Sequence, residues 1–155
     1  MGDLKLTSSD FSDGGEIPRE CGYKNGNRAP RLKWNSWDAF PDGIRWPTSF
    51  ALIMDDPDAM EAVGKVWVHW VVWNIPTKQN QIPEGADDGA EGMTDFGEVG
   101  YGGPAPPDKR HTYVFKLYAL DTGLDLPGKS TKGDFEKAMK GHIIAEAKLT
   151  GTYAP

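Results

Sequence analysis

Val66-Trp67-Val68-His69-Trp70-Val71-Val72-Trp73-Asn74-Ile75 is apolar on both alternating faces. Trp67, His69, Val71 and Trp73 fall on one side of an extended chain, and Val68, Trp70 and Val72 on the other. A run with two apolar faces reads as a strand covered on both sides. Pro76 closes it, because proline fixes φ and donates no N–H. Ser49 to Asp55 is a second short apolar run ending at a turn, and Thr112 to Leu120 reads as a third strand. Near the end, Ile143, Ala145, Ala147 and Leu149 alternate with Ile144, Glu146 and Lys148, which predicts a final strand from His142 to Tyr153.

The intervening segments are of other kinds. Asp134 to Lys140 places Phe135, Ala138 and Met139 at helical spacing, with Ser130 or Thr131 as N-cap and Gly141 just past the end. Pro83 to Gly100 is acidic, rich in glycine and without periodicity, so a long surface loop is expected there. Nineteen glycines and twelve prolines suit many turns between short strands. The expected fold class is all-β, with packed antiparallel sheets and one or two short helices.

Composition narrows the function. A chain of 155 residues reads as a single domain over 1–155, long enough to bury roughly 68–70% of the surface its unfolded form exposes. A net charge of −6 leaves no basic stripe to displace counterions from nucleic acid. No apolar run is long enough for a membrane span, and Met1 to Asp13 has no apolar core of a signal peptide. The lone Cys21 has no internal partner for a disulfide. The resulting expectation is a soluble, cytoplasmic protein.

Two turns then place polar side chains at strand ends. Asp56-Pro57-Asp58 follows the first run and precedes Trp67 to Trp70; Tyr101-Gly102-Gly103-Pro104 precedes His111-Thr112-Tyr113. Proline stiffens each turn, and a stiff turn on a strand end is a common way to present a site. If the strands are neighbours, Asp56, His69 and His111 meet in one small polar cavity. The alternative for each is structural: a core histidine bonded to backbone, or a turn-capping aspartate. His142, with no acidic or turn partner near it in sequence, reads as structural.

The ordered set of motifs resembles the phosphatidylethanolamine-binding protein family, also called the Raf kinase inhibitor-like family, and in particular its shorter bacterial and archaeal branch. The matching residues include Asp13-Gly14-Gly15 with Ile17-Pro18, Cys21-Gly22, Asn27 through Pro30 to Trp34, Ser49 to Leu52 and Asp56-Pro57-Asp58-Ala59. They continue through Trp67 to Pro76, Asp95-Phe96-Gly97, Gly100 to Pro104, His111 with Tyr113, Tyr118 to Asp121, and Gly141-His142. The resemblance implies a Greek-key sheet fold and a pocket for phosphate-like anions such as a phospholipid head group. Carried over by position, the ligand-binding residues are Asp56, His69 and His111, with Trp67, Gly103, Pro104 and Tyr113 as wall and rim. It further implies a binding protein rather than an enzyme, without cofactor, whose partners include a kinase or protease, and a homodimer, to which the abundant tryptophan would lend an exposed patch.

The sequence departs from that pattern at Met60, where proline is usual, at Thr112 for arginine, at Ala105 for cysteine and at Ala29 for serine. With methionine at 60, a trans peptide and a rearranged turn to Gly64 are expected. The chain ends at Pro155, directly after the last strand, without the C-terminal helix that lies beside the pocket in animal members, so a more open pocket is expected.

On chemical grounds, protonated His69 and His111 would donate to an oxyanion, and Asp56 would orient one of them and favour its charged form. Gly102 and Gly103 would either offer an anion nest of backbone N–H groups or permit positive φ. Three rivals stand beside this reading. Two histidines and a carboxylate are a set known to bind iron. A Cys21–histidine dyad would support nucleophilic chemistry. The third is a protein-interaction module in which the pocket is incidental.

Overall fold

The computed structural model describes residues 4–40, 46–82 and 89–155. In chain order its elements are β1 (Leu6–Ser8), a 3-10 turn (Arg19–Cys21), β2 (Leu32–Trp34), α1 (Ser36–Ala39), β3 (Ser49–Asp56), α2 (Ala59–Val63), β4 (Trp67–Ile75), β5 (Gln81–Ile82), β6 (Ala90–Glu91), β7 (His111–Leu120), α3 (Lys132–Met139) and β8 (Ile143–Tyr153). The strands form two antiparallel sheets, one in the order β1-β2-β5 and one in the order β6-β4-β3-β7-β8. β7 returns beside β3 rather than beside β4, a non-local connection of the Greek-key kind.

β3 explains the architecture. All eight of its residues are buried, and the two faces serve different cores. Phe50, Leu52 and Met54 join Trp70, Val72, Phe115 and Leu117 against Leu6, Leu32, Trp34 and Ile82 of the small sheet. Ala51 and Ile53 join Val71 and Trp73 on the opposite face, under Phe135 and Met139 of α3. Full burial of side chains of this size is worth about 1.5–3 kcal/mol each. The two-faced apolar pattern in the sequence is therefore a sheet sandwiched between a second sheet and a helix.

α3 begins two residues earlier than its apolar spacing suggests, because Thr131 supplies a capping box. Its hydroxyl accepts from the Asp134 N–H at 3.2 Å, and the Asp134 carboxylate accepts from the Thr131 N–H at 3.1 Å. Gly141 follows the helix at φ +84°. The expected loop from Pro83 to Gly100 falls partly outside the described residues. Its described part is structured: Ala90 and Glu91 pair with β4, Gly92 N–H donates to Val71 O, and Met93 bridges Val99. Two of its glycines allow close packing, since a Cβ on Gly89 would collide with the Trp73 carbonyl and one on Gly92 with the Ser130 carbonyl, whereas Gly97 and Gly100 take positive φ.

His142 pairs with an acidic residue distant in sequence: its Nδ1 lies 2.8 Å from Asp121 Oδ1, with both side chains about half exposed. One smaller expectation changes. None of the tryptophans whose side chains are described is exposed, so they furnish no surface patch. Among the described residues, the exposed large apolar side chains are Met60, Val63, Val99 and Ile143.

Candidate functional site

A register shift decides where His69 points. Along β3 and β4, Met54 opposes Trp70 and the next residue, Asp55, opposes Val68. β4 thus carries one extra residue, His69, a β-bulge that reorients the strand locally. Strict alternation would group His69 with Val71 and Trp73. The bulge instead turns it onto the other face, where its ring meets the Tyr113 ring edge-on at 5.1 Å, while Val71 and Trp73 pack under α3.

The Asp56-Pro57-Asp58 turn is tied to the start of β7 by both of its carboxylates. His111 Nδ1–H donates to Asp56 Oδ2 at 2.6 Å, and the Thr112 N–H donates to Asp58 Oδ2 at 2.7 Å. His111 Nε2–H donates in turn to Asp108 Oδ1 at 2.7 Å. Burial pushes the His111 pKa down, but the two carboxylates outweigh it and hold the ring above its ordinary value of 6.5. The bond to His111 likewise pulls Asp108 below the usual carboxylate value. A carboxylate oxygen at each ring nitrogen suits the imidazolium form of His111, with both N–H groups engaged. The segment after the turn forms the single helical turn α2, closed by Gly64 at φ +81°, with Met60 exposed.

His69 is held differently. Its Nδ1–H donates to Gly102 O at 2.7 Å, and the Gly102 N–H donates back to His69 O at 2.8 Å. Burial is the largest influence and lowers its pKa, against the raising effects of Gly102 and of the Asp56 charge. The neutral ring then keeps its lone pair on Nε2. Asp56 thus orients His111, and His69 is oriented by backbone.

Gly102 and Gly103 serve this clamp through close approach. The Gly103 N–H donates to Asn27 Oδ1 at 2.7 Å, so neither glycine N–H is free for an anion nest. Neither has positive φ. A Cβ on Gly102 would collide with the Phe96 ring, and one on Gly103 with the Cys21 carbonyl oxygen. Phe96 is fixed by its neighbour: Asp95 accepts from the Val68 N–H at 2.7 Å and pairs with Lys65 at 2.7 Å. The Phe96 ring then stacks on Tyr23 at 4.0 Å and meets Trp67 and His69 edge-on.

These elements enclose a cavity of about 210 Å³. Asp56, Trp67, His69 and His111 supply its polar lining, and Ala59, Ala62, Val63, Phe96, Ala105 and Pro107 its apolar wall. Tyr113 lies behind it, fully buried; burial, with the Asp56 charge adding to it, raises its phenol pKa far above the ordinary value. Asp56 Oδ1 and the Trp67 indole N–H are buried without a hydrogen-bond partner, while the Tyr113 hydroxyl lies against Asp56 and the Ala105 backbone. Gly103 does not line the cavity, and Pro104 lines a neighbouring one with Arg19 and Lys24. Asp108 and Phe96 also join the site: Phe96 belongs to the Asp95-Phe96-Gly97 motif, to which the sequence assigns no pocket role, and only the Pro106-Pro107 turn ahead of Asp108 hints at a presented carboxylate.

The chemistry of the rivals is less well served. Among the described residues, no three His, Cys, Asp or Glu side chains are disposed to hold a metal ion. Cys21 is buried in the main core, and burial pushes its thiol up to about 11, so it stays protonated. Among the described residues, no helix is long and apolar enough to cross a membrane.

A fold of antiparallel sheets with a small His/Asp cavity at the strand ends defines a class, and similarity places the chain in it. Residues 7–154 match the family model described as phosphatidylethanolamine-binding protein, and the chain belongs to that family. It is 42% identical to a UPF0098 protein of Methanothermobacter thermautotrophicus, over 97% of this chain and 98% of the relative. A UPF0098 protein of Chlamydia trachomatis is 39% identical over the same shares. A crystal structure of a phosphatidylethanolamine-binding protein homolog from C. trachomatis superposes with a TM-score of 0.86 at 36% identity, covering 99% of this chain and 98% of that one. E. coli YbcL, described as a member of the mammalian PEBP family, gives 0.84 at 30% identity, with 98% of each chain covered.

Proposed function

We propose that the cavity binds a small phosphate-like anion, such as the head group of a phospholipid or another phosphate monoester, and that the protein acts as a binder rather than an enzyme. The observation that carries this is the pair of buried polar atoms left without partners in the cavity lining, Asp56 Oδ1 and the Trp67 indole nitrogen, beside the His69 ring. A buried polar group without a partner costs about 1–3 kcal/mol, which a bound ligand recovers.

The protonation states set what the ligand must bring. The Trp67 N–H is a donor and Asp56 Oδ1 an acceptor; His69 Nε2 is an acceptor until it gains a proton. A phosphate monoester with a second pKa of about 6 can carry that proton in as its monoanion. Either route gives a complex with one proton shared between His69 and the ligand. Binding is then linked to proton uptake above neutral pH, where both free partners are deprotonated.

A second reading rests on α2. Met60 and Val63 are each more than half exposed on α2, and Val63 also lines the cavity. An apolar rim of this kind suits a protein surface, whether a kinase or protease target or a second copy in a two-fold dimer. Calorimetric titration with phosphoethanolamine near pH 6 tests the first reading. Saturable binding that is lost in His69→Ala supports it. A flat titration for the wild-type protein overturns it.

A further inference from the structure

From the two carboxylates on His111, we infer that Asp108 is a built-in competitor of the ligand: its carboxylate occupies the imidazolium donor that an incoming anion takes, and it leaves when the anion binds. The inference rests on the anion-pocket reading above. Both N–H groups of His111 are engaged, at 2.6 Å to Asp56 and 2.7 Å to Asp108, and the ring is completely buried. An anion can therefore reach a His111 donor only by replacing one of these carboxylates.

The two are not equally replaceable. Asp56 is 4% exposed and sits at the end of β3, with Asp58 bonding the adjoining turn to Thr112. Asp108 is 42% exposed and lies on the connection between Pro107, which lines the cavity, and the start of β7. The cations beside it in sequence are engaged elsewhere: Lys109 pairs with Glu61 at 3.0 Å, and Arg110 with Glu16 at 3.5 Å and with the Thr152 hydroxyl at 3.1 Å. Asp108 also accepts from the backbone N–H groups of Lys109 and of its own residue, so its carboxylate keeps partners when another oxyanion takes the ring. While it stays, its negative charge repels the ligand, because like charges brought together disfavour the second.

Asp108 thus sets affinity and selectivity. A ligand whose oxyanion forms a stronger bond to the imidazolium than a carboxylate does will enter, and a weak carboxylic acid will not. A phosphate monoester meets that condition through its three terminal oxygens, which can hold the His111 donor together with the Trp67 N–H and His69, where a carboxylate has only two.

The test is calorimetry with phosphoethanolamine and with acetate on wild-type protein, Asp108→Ala and Asp108→Asn, together with the His111 pKa followed by NMR. The expected result is phosphoethanolamine affinity about tenfold tighter in Asp108→Ala, equivalent to 1.4 kcal/mol, with Asp108→Asn between it and the wild type. Acetate binds measurably only in the variants. The His111 pKa falls in Asp108→Ala and rises again when phosphoethanolamine is added, a recovery that a merely structural aspartate would not produce. Binding confined to the variants also supports the competitor role, while overturning the pocket reading for the wild type. Wild-type binding that is equal to or tighter than that of both variants overturns the competitor and leaves the pocket reading standing. No binding by any of the three proteins overturns both.

Discussion

His111 Nδ1 lies 2.6 Å from Asp56 Oδ2, joining the end of β3 to the start of β7 through a charged pair that is almost wholly buried. The bond fixes the ring's charge as well as its position. With Asp108 on the other nitrogen, the ring is held between two carboxylates, which favour its charged form and raise its pKa above the ordinary value.

That pairing makes stability fall on the alkaline side. His111 has a folded pKa above 6.5, so its contribution is complete below pH 6.5 and is lost as pH rises through the folded value. Asp56→Asn should bring the NMR-measured His111 pKa down towards 6.5 and flatten the alkaline decline in urea-unfolding stability. An unchanged His111 titration in that variant would contradict the geometry.

His69 acts in the opposite direction. Its folded pKa lies below 6.5, so the unfolded chain takes the proton first, and stability is lost as pH falls from 6.5 through the folded value. His69→Gln should flatten this acid limb while leaving the alkaline one in place. Urea titrations at a series of pH values separate the two histidines.

Gly103→Ala should destabilise the protein by about 1–3 kcal/mol, the usual cost of overpacking. The added methyl meets the Cys21 carbonyl, with the Tyr23 N–H and Asn27 Oδ1 close by. Chemical denaturation measures the loss. Because the same segment clamps His69, the His69 resonances should also shift in the folded variant.

Phe135→Ala should cost about 3–5 kcal/mol, since the ring is fully buried and packs edge-on against Trp73 at 6.1 Å. Thr131→Ala, which removes the cap of the same helix, should cost about 1 kcal/mol. Thermal or urea unfolding checks both. A larger effect from the cap than from the ring would show that α3 is not held by its buried face.

The strands were readable because period-two burial is written directly into residues such as Phe50, Leu52 and Met54 against Ala51 and Ile53. The bulge at His69 was not, because alternation in β4 continues through it; only the pairing partner on β3 reveals the extra residue. Asp56, His69 and His111 were recognisable from turn chemistry and from the resemblance, and the structure brings all three to one cavity. Their division of labour was hidden, since it depends on Gly102 O and Asp108, which approach from segments distant in sequence or with no motif of their own. Gly102 and Gly103 misled for a similar reason: a glycine required by a neighbour's bulk looks in sequence like one required by φ.

The most direct measurement is isothermal calorimetry of phosphoethanolamine binding between pH 5 and 8, repeated in buffers of different ionisation enthalpy. The account predicts saturable binding, strongest below pH 6.5, with uptake of close to one proton at the alkaline end of the range. Uptake should vanish together with binding in His69→Ala. Binding that is independent of pH and takes up no proton, or that survives intact in His69→Ala, would contradict it.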